Sequence, residues 1–352
     1  MIDFTPGPIQ LTIDEIEEIS KNTHYFPRDI SFSRVYKELI DNLTEIFCDA
    51  TEKNVLVIPG SGTQTNESII FSFFLNKKIL VLSNGEFGLR LYKQTKNYNK
   101  SAKNLNFGMG KEFDYLEIEN CLKKNEIEVV MMVHHETSTS IINDLEKINI
   151  MKCKYNFELF VDCISSVGCE DLNYKIPTVF SFTSGKAIGG LPGLGIICKN
   201  KDLEYIDNID NIQSVLNLKN YELKFNESNQ FPNTPPIFEI ACLNYKIKRL
   251  NQEGLENKIQ KIKSYTEYLR KSLKDSDFSF FEYSHSYSST YMIVKNAKEV
   301  ISYLKMNEIY VYEGKNDWQS KYIQLSTIGI RDYDDIDFFI NIMRSYTDEK
   351  RN

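Results

Sequence analysis

Short apolar runs alternate with helix-spaced segments from residue 54 to residue 198, and no other feature of the chain restricts its fold as much. The runs 54–58, 78–82, 128–133, 157–161, 178–182 and 195–198 are largely apolar without a period of two. Strands of that kind are covered on both faces, as in a mainly parallel sheet with helices on either side. Helical spacing fills the gaps over 64–75, 87–97, 113–124 and 145–155. It also precedes them over 12–21, and from a cap at Ser31 or Ser33 to about Cys48. Phe4-Thr5-Pro6-Gly7-Pro8 cannot be helical and reads as an extended arm.

The pattern changes from about Leu203 onwards. The polar, Asn- and Pro-rich stretch 224–236 reads as a linker, and helical spacing returns over 237–250 and 255–273 with a break near Gly254. Aromatic strands are expected within 278–294, a helix over 297–305, short strands over 309–312 and 322–326, and a closing helix over 335–346. The expected organisation is α/β. It has an N-terminal arm at 1–20, a large domain at 21–235 with a mainly parallel sheet, and a smaller α+β domain at 236–352 that includes the connecting helix.

Parallel sheets place ligands at the carboxyl ends of their strands. Each polar cluster in the first half comes at such an end. Gly60-Ser61-Gly62-Thr63 leads from a strand into a helix, where free amides and the helix dipole favour a phosphate. The net charge of −7 makes such local donors necessary and gives no reason to expect nucleic acid. Asp162 ends a strand, where an aspartate is also a common turn residue. Phe87 follows Asn84-Gly85 and is either a core aromatic or a stacking ring. Thr137 lies in the run His134-His135-Glu136-Thr137-Ser138-Thr139. That run suggests a metal at first sight, but neighbours on a strand face opposite ways and no third ligand follows, so no metal is expected.

Lys186 sits in Thr183-Ser184-Gly185-Lys186-Ala187-Ile188-Gly189-Gly190-Leu191-Pro192-Gly193 between two apolar runs. A glycine-rich turn with its lysine in water has the same local sequence. A lysine in a partly dry pocket instead has a lowered pKa and attacks carbonyls. Taken together, a phosphate cradle, a stacking ring, a carboxylate for a pyridine nitrogen and a pocket lysine match the needs of pyridoxal phosphate. Asp162 would keep the ring nitrogen protonated, Thr137 would donate to the ring oxygen, and Ser61, Gly62 and Thr63 would hold the phosphate.

Further motifs carry a family resemblance. Phe-Thr-Pro-Gly-Pro, Pro27-Arg28, Gly-Ser-Gly-Thr, Asn-Gly-x-Phe-Gly-x-Arg, His-x-Glu-Thr-Ser-Thr, Val-Asp-x-x-Ser-Ser and Gly-Lys-Ala-x-Gly-Gly-x-Pro-Gly occur in that order. The chain thus resembles the class V aminotransferases of the pyridoxal-phosphate fold type I. Pro27-Arg28 and Tyr312-Glu313-Gly314-Lys315 tilt it towards 2-aminoethylphosphonate–pyruvate aminotransferases, with serine– and alanine–glyoxylate aminotransferases next. The resemblance implies Lys186 as the Schiff-base lysine and places Ser184 in the same pocket. It implies that Thr234 reaches the phosphate site of a partner subunit in a homodimer.

One departure bears on substrate. The family carries an arginine for the substrate carboxylate where this chain has Gln324, and glycine where it has Ser140. Replacing a bidentate cation by an amide is not conservative. It favours a phosphonate, a phosphate, an amino sugar or an amino alcohol over an α-amino acid, and makes Gln324→Arg an expected gain on α-keto acids. Arg28, Lys315 and Arg331 are the candidate substitute cations. The expected activity is transfer of an amino group between a small amine and a carbonyl acceptor such as pyruvate. A lyase or decarboxylase on the same fold needs the same lysine and aspartate, and a catalytically silent binding protein is the alternative from another class. Seven cysteines without a CxxC, no apolar run of membrane-spanning length and no signal-peptide pattern lead to the expectation of a cytoplasmic protein.

Overall fold

Seven strands form the central sheet, in the order Lys53–Pro59, Leu194–Asn200, Val179–Thr183, Glu158–Asp162, Val129–Val133, Ile79–Ser83, Lys103–Asn106. The computed structural model that shows this describes residues 1–21, 25–48, 51–282 and 285–351. Five strands run parallel, from Val179–Thr183 to Lys103–Asn106. Leu194–Asn200 is antiparallel to both of its neighbours. It returns directly through the lysine loop, which is too short for the helical crossover that a parallel partner needs. Lys103–Asn106 has no counterpart among the strands expected from the sequence. It is a polar edge strand, half-exposed, and lacks the apolar signature of the buried strands.

Aspartates and a serine start most of the helices in this half. Ser61, Asp114 and Asp144 cap Gly62–Phe73, Tyr115–Lys124 and Leu145–Tyr155 by accepting first-turn amides. The helix Ile30–Phe47 is capped by Asp29, not by Ser31 or Ser33, because the Asp29 carboxylate accepts both the Ser31 amide at 2.8 Å and the Ser31 hydroxyl. The expected linker also needs correction. Leu218–Ser228 is a helix, capped by Asn217 and held by buried Leu218 and Tyr221. Only residues 229–236, which follow it, lack helix or strand.

Two large apolar cores and a small cluster of Cys169, Ala187 and Ile262 form among the described residues. The larger surrounds the sheet and takes Ile240, Leu243, Ile247 and Leu250 from the helix Ile237–Glu253. That helix, assigned by the sequence to the smaller unit, thus packs its apolar face on the larger one. The smaller core gathers Leu269, Met292, Val300, Ile323, Leu325 and Phe339. Its three-stranded sheet has the order Ser289–Ile293, Tyr322–Ser326, Tyr312–Glu313. In the aromatic stretch only Ser289–Ile293 is a strand, joined by a bridge from Phe280 to Met292, while Tyr283 and Ser284 lie outside the described residues.

The N-terminal arm joins both units. Ile2–Asp3 pairs in parallel with Ile309–Tyr310, and Phe4 is fully buried in the smaller core. A few residues further on, the Ile9 amide donates to the Gly185 carbonyl at 3.3 Å. Among the described residues no helix is long and apolar enough to cross a membrane.

Candidate active site

Lys186 stands on the loop between Val179–Thr183 and Leu194–Asn200. Internal bonds fix that loop: the Gly189 amide donates to the Lys186 carbonyl and the Gly190 amide to the Ser184 carbonyl, each at 2.8 Å. A side chain at Gly185 would stand 3.0 Å from the Pro192 backbone, a tight contact, so the close return favours glycine. The Ser184 hydroxyl donates to the Leu191 carbonyl and accepts the Leu194 amide at 3.3 Å. It therefore braces the loop and does not line the cavity beside Lys186. The Lys186 ammonium donates to the Pro6 carbonyl at 2.8 Å. Burial holds its pKa below the ordinary lysine range, and the Lys315 ammonium pushes the same way, while Cys169 and Asp162 oppose them.

Asp162 is buried at the end of its strand. Its carboxylate accepts the Ile164 amide at 3.0 Å and the Asn66 side-chain amide at 2.7 Å, and Asn66 accepts the Ser181 hydroxyl at 2.7 Å. Burial pushes its pKa above the usual carboxylate range, against those bonds and the nearby Arg90 and Lys186 charges. Gly62 and Thr63 open the helix that Ser61 caps, where the first amides have no partner within the helix.

Phe87 owes its position to Glu136. This buried carboxylate accepts the amides of Phe87 at 3.3 Å and Gly88 at 2.9 Å, at the start of the helix Glu86–Tyr98. It can do so because residue 85 is glycine, where an added side chain would come within 2.4 Å of Glu136. Arg90 and Lys315 approach the Phe87 ring at 4.9 and 5.2 Å from its centroid. Both also reach one Glu86 carboxylate oxygen, at 2.7 and 3.4 Å. Two cations thus share one anion.

Lys186, Asp162, Phe87, Gly62 and Thr63 line a single cavity of about 220 Å³, together with Asn66, Arg90, Gln94, His135, Ile164, Ser165 and Thr183. A narrow inner lobe of about 10 Å³ adjoins it beside Lys186, and Thr137 lines that lobe with His135, Ser165, Ser288, Ser289 and Ser326. Ser61 stays at the rim as the helix cap and is exposed. Thr234 is exposed on the segment after Phe231, and Arg28 donates to the Phe231 carbonyl at 3.1 Å, so neither lines the cavity of this chain. A larger surface groove of about 870 Å³ runs beside Arg28, Tyr221 and Asn233, apart from these residues. Gln324 is buried behind Ser289. Its amide donates to the Thr137 carbonyl at 2.9 Å and to the Ser289 hydroxyl at 3.2 Å.

Of the candidate cations, Lys315 approaches the site, and Arg331 lies on the exposed surface. Sequence reasoning misses Arg90, Asn66 and His135. Arg90 follows Phe87 by three residues on one helix, a spacing that puts both on one face. Asn66 follows Gly62 by four for the same reason. His135 falls away with the metal reading, since its face cannot be read from adjacent residues.

The class of protein follows from this geometry and from comparison with known proteins. Residues 22–324 match the model of the class-V aminotransferase family, and the chain belongs to that family. It is 28% identical over 330 residues to a bifunctional phosphonoacetaldehyde hydrolase/aminoethylphosphonate transaminase of Clostridioides difficile. That match takes in 89% of this chain and 51% of the relative, so the chain spans about half that protein's length. Alanine–glyoxylate aminotransferase 1 of Saccharomyces cerevisiae is 25% identical over 92% of this chain and 91% of its own. A 2-aminoethylphosphonate–pyruvate transaminase of Pseudomonas putida is 26% identical over 71% and 69%. The fold is shared with aspartate aminotransferase of Thermus thermophilus, at a TM-score of 0.87, 18% identity and 99% of both chains. It is also shared with pyridoxamine–pyruvate aminotransferase of Mesorhizobium loti, at a TM-score of 0.86, 18% identity, 93% of this chain and 86% of the other.

The chain is therefore a pyridoxal-phosphate-dependent aminotransferase of class V. Its residues suit that cofactor. Asp162 is a buried carboxylate whose desolvation a protonated ring nitrogen would offset, and the helix start at Gly62 and Thr63 suits a phosphate. Phe87 and Ile164 offer apolar contact to a planar ring.

Proposed function

We propose that this chain moves an amino group from a small amine bearing a phosphonate or phosphate to a carbonyl acceptor such as pyruvate. The observation that carries the reading is the meeting of Lys186, Asp162, Phe87 and the Gly62–Thr63 helix start in one cavity. When bound, the cofactor supplies an aldehyde for the amine and an electron sink for the carbon that loses its proton. Lys186 is the residue that would hold the cofactor's aldehyde covalently. Its lowered basicity would let its free amine take and return a proton at Nζ. Asp162 would favour positive charge at the ring nitrogen, and Phe87 would pack on the ring face. Thr137 would donate to the ring oxygen, and the helix start at Gly62 and Thr63 would hold the phosphate.

The substrate reading has two supports. Lys315 and Arg90 place a surplus of positive charge over Phe87, whereas the position of the family arginine holds a neutral amide turned towards Thr137. Two of the similar proteins are named for aminoethylphosphonate. In this reading the enzyme is a homodimer in which exposed Thr234, with Arg28 beside the same segment, completes the partner's phosphate site. Seven cysteines without a CxxC accord with a reducing cytoplasm.

The test is reconstitution with pyridoxal phosphate, borohydride reduction and mass mapping. The adduct is expected on Lys186 and is expected to be lost in Lys186→Ala. An adduct retained in that variant sinks the assignment. Amine donors alone should convert the cofactor stoichiometrically to its amine form, which a lyase does not do.

A further inference from the structure

His135 is buried beside Lys186, with its ring lining both the main cavity and the inner lobe. Its Nδ1 lies 2.9 Å from the Ser165 carbonyl. A carbonyl only accepts, so Nδ1 carries the proton, and in the neutral ring Nε2 is a bare lone pair. Nε2 has no hydrogen-bond partner among the described residues. A buried acceptor left in that state costs free energy that a donor would recover. Burial lowers the ring's pKa and the Lys186 charge does so too, against Glu170 at 3.6 Å and the bond to Ser165, and the balance favours the neutral ring.

Three donors that line the lobe, Ser288, Ser326 and Cys169, are committed elsewhere. The Ser288 hydroxyl donates to Glu170 at 2.6 Å and the Ser326 hydroxyl to the Ser288 carbonyl at 3.0 Å. The Cys169 thiol donates to the Ser165 carbonyl at 3.2 Å. Lys186 has three ammonium protons, of which the Pro6 carbonyl takes one. The lobe thus presents an acceptor, His135, and a donor, Lys186. A carboxylate could accept from Lys186 but has no proton for His135. An ammonium could donate to His135 but would meet Lys186 as a like charge. A hydroxyl oxygen satisfies both. The lobe's size of about 10 Å³ limits the guest to a group of about one oxygen.

We propose that the inner lobe is a one-oxygen subsite, in which a hydroxyl donates to His135 Nε2 and accepts from Lys186 Nζ. The oxygen belongs either to a substrate hydroxyl near the amine-bearing carbon or to a bound water that a substrate hydroxyl does not replace. The substrate form rests on the reading of Lys186 as the cofactor lysine, and the water form does not.

Two measurements test this. The first compares amine pairs that differ by one hydroxyl: 2-aminoethylphosphonate with its 1-hydroxy derivative, and propylamine with 1-amino-2-propanol. Dissociation constants are read from cofactor absorbance in wild type, His135→Leu and His135→Asn. The second is a crystal structure of the protein with and without cofactor, at a resolution that places waters. A preference of about tenfold for the hydroxylated members, lost in His135→Leu and partly restored in His135→Asn, supports the substrate form. A ratio near one with a water within hydrogen-bonding distance of Nε2 supports the water form. A ratio near one with no oxygen there overturns the proposal, as does a preference that survives His135→Leu. If Lys186 takes up no cofactor, the proposed function fails, and the cofactor-free crystal structure still decides the subsite.

Discussion

The Pro6 carbonyl accepts the Lys186 ammonium at 2.8 Å, which makes the N-terminal arm part of the site. Gly7 permits this approach. It has φ of +98°, and a side chain there would stand 3.1 Å from Lys186 Cδ and 3.2 Å from the Gly185 carbonyl. Gly7→Val combines a left-handed backbone with that contact, at a cost of about 1–2 kcal/mol or more. The expected result is cofactor uptake slowed by about tenfold or more, read from the rise of visible absorbance after cofactor is added to apoprotein. An unchanged rate would show that the arm does not position the lysine.

Lys315 adds to burial in lowering the pKa of Lys186. Removing that charge in Lys315→Met should therefore raise the Lys186 pKa. The neutral fraction of Lys186 then appears at higher pH than in wild type. Acylation of Lys186 in apoprotein, followed by peptide mass against pH, should show a curve displaced to higher pH. A displacement to lower pH would contradict this electrostatic ordering. The same variant should lose affinity for 2-aminoethylphosphonate by about tenfold while propylamine is little affected, because one charge-assisted contact disappears.

Gly85 and Glu136 form a second dependent pair. Glu136 accepts from the Phe87 and Gly88 amides and from the Ser138 hydroxyl, and the space it fills exists only beside glycine. Gly85→Ala should destabilise the protein by about 1–3 kcal/mol through overpacking. Denaturant midpoints measure this, and cofactor dissociation should quicken as Phe87 shifts. A neutral outcome in both would mean that the helix start has room to move.

The sheet is legible in the sequence because its buried strands are apolar on both faces, and the site because its polar clusters follow those strands. The parts that are not legible lack such signals. Lys103–Asn106 is polar because it is an edge strand. Leu218–Ser228 hides in an Asn-rich stretch because only Leu218 and Tyr221 on it are buried. The reach of Lys315 to Phe87 depends on how two units meet, a relation between residues far apart in sequence that local spacing does not encode. Ser140 is a further case. Its φ of +58° explains why a glycine suits this position, and its hydroxyl bond to Ser289 at 2.7 Å shows what serine adds.

That serine pair changes what is expected of Gln324. From sequence alone, Gln324→Arg should improve turnover of α-keto acids. In the structure Gln324 is 3% exposed, its amide is committed to the Thr137 carbonyl and the Ser289 hydroxyl, and Ser289 also takes the Ser140 hydroxyl. An arginine placed there enters a group of neutral partners, the Thr137 carbonyl and the Ser289 and Ser140 hydroxyls. Burying that charge should lower stability by about 1–3 kcal/mol. Without space to pass Ser289, the guanidinium should not reach the cavity, and affinity for pyruvate should stay within about twofold of wild type. Adding Ser289→Gly opens the path, so the double variant should bind pyruvate at least about tenfold more tightly than Gln324→Arg alone, by one charge-assisted pair. Dissociation constants from cofactor absorbance, with thermal midpoints for all three proteins, separate the outcomes. A single variant that already gains tenfold on pyruvate would show that the serine cluster does not keep residue 324 from the substrate.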